Sequence, residues 1–132
     1  MILADTSAWV EYLRGTGSSV DQRINHLIDS EGGLVVTEPV IMEVLAGAPT
    51  RAGEEDLRRF LVRFPLLPFH VAGDFDGAAH IYRRCRSHGI TPRGMVDCMI
   101  AAVAFRTGAS LLARDADMDR IALVMGIELD DS

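Results

Sequence analysis

No lysine occurs in this chain: all 13 basic residues are arginine, against 19 acidic ones, for a net charge of −6. That absence removes several phosphate chemistries at once. A Walker-type phosphate loop needs a lysine among its glycines. A phospho-acceptor receiver domain and a haloacid-dehalogenase-type phosphatase both open on a strand ending in Asp, but both depend on a lysine elsewhere. The phosphatase also needs a second Asp two residues on, where this chain has Ser7. Cysteine is scarce too. Cys85 and Cys98 have neither CxxC spacing nor a metal-binding histidine partner, so both read as reduced, structural thiols. His26, His70, His80 and His88 show no ligand spacing.

Long apolar runs are missing as well. None approaches the ~20 residues needed to cross a bilayer, and MILADTS lacks a basic leader with an apolar stretch and a cleavage site. An intracellular, cytoplasmic address with no membrane partner is expected. With 132 residues, 48% of them apolar, the chain reads as one globular domain over 1–132. No repeat, low-complexity stretch or long linker divides it.

Charge alone argues against a nucleic-acid partner. The arginines are clustered, however: Arg83, Arg84 and Arg86, then Arg93, Arg106 and Arg114 around acidic segments. Arginine suits bidentate contacts with phosphate, while a solvated helix face is the plain alternative for 83–86. A divalent ion would reverse the field of an acidic pocket, so net charge does not decide the matter.

Apolar periodicity predicts alternating strands and helices. Ile2-Leu3-Ala4 reads as a buried strand ending at Asp5, and Thr6 or Ser7 can cap a helix to about Arg14. A helix over Val20–Asp29, a strand Leu34-Val35-Val36 and a helix from Thr37-Glu38-Pro39 to Gly47 follow. Next come a helix over 54–64, a third strand from Leu66 to Val71, a helix over 74–88 and an almost wholly apolar helix over 94–107. A fourth strand, Leu111-Leu112-Ala113, a helix over about 117–125 and an edge strand at Ile127–Leu129 complete the chain. Short apolar strands alternating with helices imply an α/β fold, a mostly parallel sheet flanked by helices on both faces.

Against that frame, five acidic residues stand where strands end or helices begin: Asp5, Glu43, Asp97, Asp115 and Asp117. Each has a plain reading. Asp5, Asp115 and Asp117 can cap helices, and Glu43 can be a solvated helix residue. Asp97 is less comfortable as a bystander, because it lies in the apolar run GMVDCMIAA, where a charge needs a partner or a metal. The five can converge at one sheet edge, where open α/β sheets bind ligands. Like charges that close raise one another's pKa unless a cation neutralises them. An all-oxygen donor set suits Mg²⁺ or Mn²⁺ better than Zn²⁺, so the constellation reads as a metal-dependent phosphoryl-transfer centre.

At these residues the chain resembles the PIN-domain superfamily, and most closely the VapC-type ribonuclease toxins of prokaryotic toxin–antitoxin pairs. The resemblance spans essentially the whole chain. It is carried by ILADTSAWVEYLRG, TEPVIMEVLAGA and TPRGMVDCMIAAVAFRTGASLLARDADMDRI, and by their order and spacing. It implies that Asp5, Glu43, Asp97 and Asp115 form a metal-binding quartet, with Asp117 a further acidic position. Thr6 or Ser7 would orient Asp5 or bind a metal-held water, and Arg93 and Arg114 would hold substrate phosphate. Many relatives have Thr-Arg or Thr-Asn before the fourth acid. Here Ala113-Arg114 precedes it, which puts in doubt a hydroxyl's role there but not the metal site.

The resemblance further implies Mg²⁺- or Mn²⁺-dependent hydrolysis of RNA, leaving a 5′-phosphate and a 3′-hydroxyl. It implies a homodimer and a cognate VapB-type antitoxin through which alone the toxin would meet DNA. The antitoxin groove is expected near Trp9, Tyr12 and Leu13, with ordinary core as the alternative. A non-catalytic PIN module that binds RNA or a protein would be favoured by loss of a quartet member, and none is lost.

Overall fold

The computed structural model describes residues 1–130; residues 131 and 132 of the expected domain lie outside the described residues. Three strands, β1 (Ile2–Ala4), β2 (Leu34–Val35) and β3 (Ser110–Leu112), form a parallel sheet in the order β2-β1-β3. Leu3 stands opposite Val35 on one side and Leu111 on the other, so β1 is central. A strand covered on both faces must be apolar throughout: Leu3, Ala4, Leu34, Val35, Leu111 and Leu112 are all buried.

Seven helices connect and cover the strands: α1 (Thr6–Arg14), α2 (Ser19–Asp29), α3 (Glu38–Ala46), α4 (Arg51–Leu61), α5 (Val71–Ser87), α6 (Met95–Thr107) and α7 (Ala116–Met125). The path from β1 to β2 runs outward through α1 and α2, and the path from β2 to β3 returns past β1 through α3 to α6. Two such crossovers in opposite directions, each right-handed, lay their helices on opposite faces of the sheet. α6 is apolar all round, as a helix enclosed by others must be. Cys98 and Ile100–Ala104 are buried in it, while Gly77 of α5 comes so close that a Cβ there would lie 3.3 Å from Ala102. Cys85 and Cys98 are both buried and unpaired.

On α1, Trp9 is fully buried among Tyr12, Phe60 and Phe64, with ring centroids 5.2–6.0 Å away. Trp9 is therefore core and not groove lining, whereas Leu13 is exposed.

The stretch Leu66–Val71 is not a strand. One parallel bridge joins Leu66 to Val36, with hydrogen bonds from Val36 N to Pro65 O and from Leu67 N to Val36 O. Beyond it Pro68 has no N–H to give a ladder. The next two amides turn to carboxylates, Phe69 N to Glu38 Oε1 and His70 N to Asp74 Oδ2, both at 2.8 Å. That second contact opens α5 at Val71, three residues before its expected start. α4 likewise begins early, because Thr50 Oγ1 caps Gly53 N. At the far end, Ile127–Leu129 contributes a single bridge, Leu111 to Leu129, in place of an edge strand.

Candidate metal centre

Parallel strands deliver their C-terminal ends to one edge, and the carboxylates collect there. Asp5 follows β1 directly; its amide still bonds Leu112 O at 2.9 Å, and it is 2% exposed. Asp115 lies three residues past β3. Asp5 and Asp115 are the N-caps of α1 and α7, and Asp97 and Asp117 sit in the first turns of α6 and α7. Three helix N-termini therefore point positive ends at this edge, which favours negative charge there. Glu43 arrives separately, from the last turns of α3. The capping and cluster readings are thus compatible.

The hydrogen bonds divide the oxygens. Asp5 Oδ1 accepts from Ser7 Oγ at 2.6 Å and Ala8 N at 2.9 Å. Ser7 Oγ in turn accepts from Arg114 N at 2.8 Å, locking the turn after β3 onto α1. Asp115 Oδ1 takes Asp117 N at 3.0 Å and an Arg93 guanidinium nitrogen at 2.6 Å. Asp117, buried, accepts Arg93 N through Oδ2. Glu43 Oε1 accepts from Thr6 Oγ1 at 2.5 Å. Among the described residues, each of these four acids keeps its second oxygen without a donor, and Asp97 takes no hydrogen bond at all.

Electrostatics couples the group. Asp5 is pushed up to about 7, chiefly by burial and further by the charges of Asp97 and Asp115, against the lowering pull of Ser7 and Ala8. Asp97 is pushed up to about 6, first by desolvation and then by Asp115, Glu43 and Asp117; Arg93 opposes the rise. A cluster that holds its own protons near neutrality is under-neutralised. Spare hard-oxygen donors and excess negative charge fit a divalent cation. Among the described residues no three of these side chains surround a single ligating point as they lie; the guanidinium of Arg93 supplies the nearest positive charge.

Thr6 holds Glu43 rather than Asp5, and Ser7 holds Asp5. Arg114 contributes its backbone to Ser7, while its side chain lies 3.9 Å from Glu11. The histidines at 26, 70, 80 and 88 are exposed. Sequence reasoning passed over Asp119, whose carboxyl is raised by desolvation and by the charge of Asp115. It lines a cavity of about 540 Å³ with Asp115, Arg23 and Asp130. Its position one turn beyond Asp115 was the available signal, masked by its resemblance to a solvated helix residue.

Comparison with known proteins places this geometry. The PIN domain family model matches residues 2–124. The VapC ribonuclease Mb1587 of Mycobacterium bovis is 43% identical over 129 residues, covering 97% of this chain and 96% of that protein. Ribonuclease VapC11 of Mycobacterium tuberculosis matches to the same extent. Among solved structures, DNA-bound VapBC from Salmonella typhimurium aligns with 98% of this chain and 96% of its own, with a TM-score of 0.75 and 22% identity. VapBC2 from Rickettsia felis, bound to a promoter DNA fragment, aligns with 100% of this chain and 99% of its own, with a TM-score of 0.77 and 18% identity. At those identities the structural likeness is one of fold.

Proposed function

Because the chain belongs to the PIN domain family and matches VapC ribonucleases over 97% of its length, we propose that it is the toxin of a toxin–antitoxin pair, a Mg²⁺- or Mn²⁺-dependent endoribonuclease. The observation that carries this reading is the set of carboxylates at one sheet edge, each with an oxygen to spare. Asp5, Glu43, Asp97 and Asp115 would hold the ion, with Asp117 a further donor. When bound, such an ion acidifies water and stabilises charge on the phosphate.

The chain's own residues do the positioning. Ser7 and the Ala8 amide fix Asp5, and Thr6 fixes Glu43. Asp117 anchors the backbone of the loop that carries Arg93, whose side chain is 74% exposed and free to swing from Asp115 to a substrate phosphate. A protein nucleophile has no support. Both thiols are buried, Cys98 pushed up to about 12 by desolvation, and no histidine hydrogen-bonds a serine at this edge. Hydrolysis would leave a 5′-phosphate and a 3′-hydroxyl.

A VapB-type antitoxin is the proposed inhibitor and the only route to DNA, in line with the VapBC–DNA complexes that share the fold. A homodimer acting in the cytoplasm completes the reading; no helix among the described residues is long and apolar enough to cross a membrane. The test is cleavage of purified cellular RNA by wild type and Asp97→Asn, each with Mg²⁺, Mn²⁺ or EDTA. Discrete fragments from wild type alone, abolished by EDTA, are expected. Equal cutting by both proteins overturns the assignment.

A further inference from the structure

In a chain of net charge −6, residues 77–96 hold four arginines, two histidines and no acidic residue. The structure places this segment beside the carboxylates. α5 and α6 pack against each other as an antiparallel pair joined by residues 88–94. Asp74 pairs with Arg106, and Gly77 faces Ala102. Continuing that register sets Arg83 level with Asp97, at the mouth of the acidic cluster. Ala78, Ile81 and Cys85 take the buried side of α5, so Arg83, Arg84 and Arg86 face outward and are exposed.

None of these three arginines has a carboxylate partner among the described residues, whereas Arg93, Arg106 and Arg114 nearby all do. Arg83, Arg86 and Ser87 line an open groove of about 450 Å³. The Arg86 guanidinium lies over the Tyr82 ring, 5.9 Å from its centroid, which preorders a flat cation for stacking or phosphate contact.

Resting on the nuclease reading above, we propose that Arg83, Arg84 and Arg86 form a phosphate track that guides single-stranded RNA along the C-terminal end of α5 into the acidic cluster. Packed helix axes stand about 8–10 Å apart, so the track begins within a nucleotide or two of the carboxylates. It gives an acidic protein a local attraction for a polyanion, with the cluster supplying chemistry and the track supplying affinity. A single strand is favoured because its backbone bends to follow a groove beside the site, and because Arg and Tyr faces accept unstacked bases. These are positioning residues; none touches the reacting phosphate in this account. The competing role is stabilisation of the helix, since cations in the last turn interact well with its C-terminus.

The experiment compares wild type, R83Q/R84Q/R86Q and R83K/R84K/R86K. Binding of a fluorescein-labelled oligouridylate 20-mer is titrated against salt in EDTA, cleavage of cellular RNA is followed with Mn²⁺, and melting temperature is recorded. Each phosphate contact on a single strand contributes about 0.7 to the log–log salt slope, so the Gln variant is expected to lose about 2 from it. Its KM should rise at least tenfold with kcat unchanged, and the Lys variant should keep the wild-type slope. If wild type binds and cleaves but the Gln variant matches its slope and KM, the track is overturned and the nuclease stands. A lowered melting temperature with an unchanged slope leaves only the helix-end role and also overturns it. If wild type neither binds nor cleaves RNA, the nuclease reading fails and the track with it.

Discussion

Thr6 donates its hydroxyl to Glu43 Oε1 at 2.5 Å, so the residue that follows the first carboxylate holds the second, 37 positions later in the chain. The contact joins the start of α1 to α3 and fixes a side chain that would otherwise rotate freely. Groups that orient metal ligands typically cost 10–100-fold in affinity or activity when removed.

Thr6→Val removes the hydrogen bond while keeping the side chain's shape. Cleavage is expected to fall about 10–100-fold, with about 1 kcal/mol lost from stability. Thr6→Ser should retain most of the activity. Steady-state cleavage and urea unfolding of both variants check this; equal activity in all three proteins would show that Glu43 needs no orienting partner.

The raised carboxyls make stability depend on pH. Asp5 and Asp97 ionise at about 7 and about 6 in the folded protein, against 3.8 unfolded. A raised folded pKa contributes stability that is complete below the unfolded value and is lost as pH rises through the folded one. In EDTA, wild type should therefore lose stability relative to Asp5→Asn between pH 4 and pH 8, by on the order of 3 kcal/mol. Calorimetry across that range reads the difference between the two curves, and Mn²⁺ should shrink it. A wild-type curve parallel to the variant's would show that Asp5 is charged throughout.

Arg93 competes with any cation for Asp115, which it meets at 2.6 Å. Arg93→Gln is expected to tighten Mn²⁺ binding several-fold in titration calorimetry at pH 7.5, because one positive charge leaves the cluster. Weaker binding would mean that Arg93 builds the site by holding Asp115 in place.

The Asp74–Arg106 pair is structural. Asp74 is buried and Arg106 bonds both its oxygens at 2.9 Å, with a further bond to Pro68 O. Burial alone would raise the Asp74 carboxyl. Hydrogen bonds from Arg106 and the His70 amide, with the charge of Arg106, outweigh it and hold the pKa low. Arg106→Met leaves that charge unpaired and should cost about 2–3 kcal/mol, discounted for the part-exposed guanidinium. Urea denaturation at pH 7.5 measures it, and RNA cleavage below the melting range should be unaffected.

Local patterns were legible where one segment makes its own case. ILAD reads as a central strand running into a cap because its apolar residues are buried on both faces and its Asp serves the next helix. The Leu66–Val71 stretch misled, since its apolar character is strand-like. Its amides are satisfied by Glu38 and Asp74, and no reading of the stretch itself shows that.

By itself, then, the sequence determined residue chemistry and period: apolar strands, capped helices, acids without histidine or cysteine ligands, and no lysine for rival phosphate sites. Only the tertiary structure decided which partner each oxygen takes, that Thr6 serves Glu43 while Ser7 serves Asp5, and that the basic end of α5 lies beside Asp97. The reason is physical. Secondary structure follows from hydrogen bonds and periodicity within a few residues, whereas these relationships arise when helices dozens of positions apart pack on one parallel sheet and share its C-terminal edge.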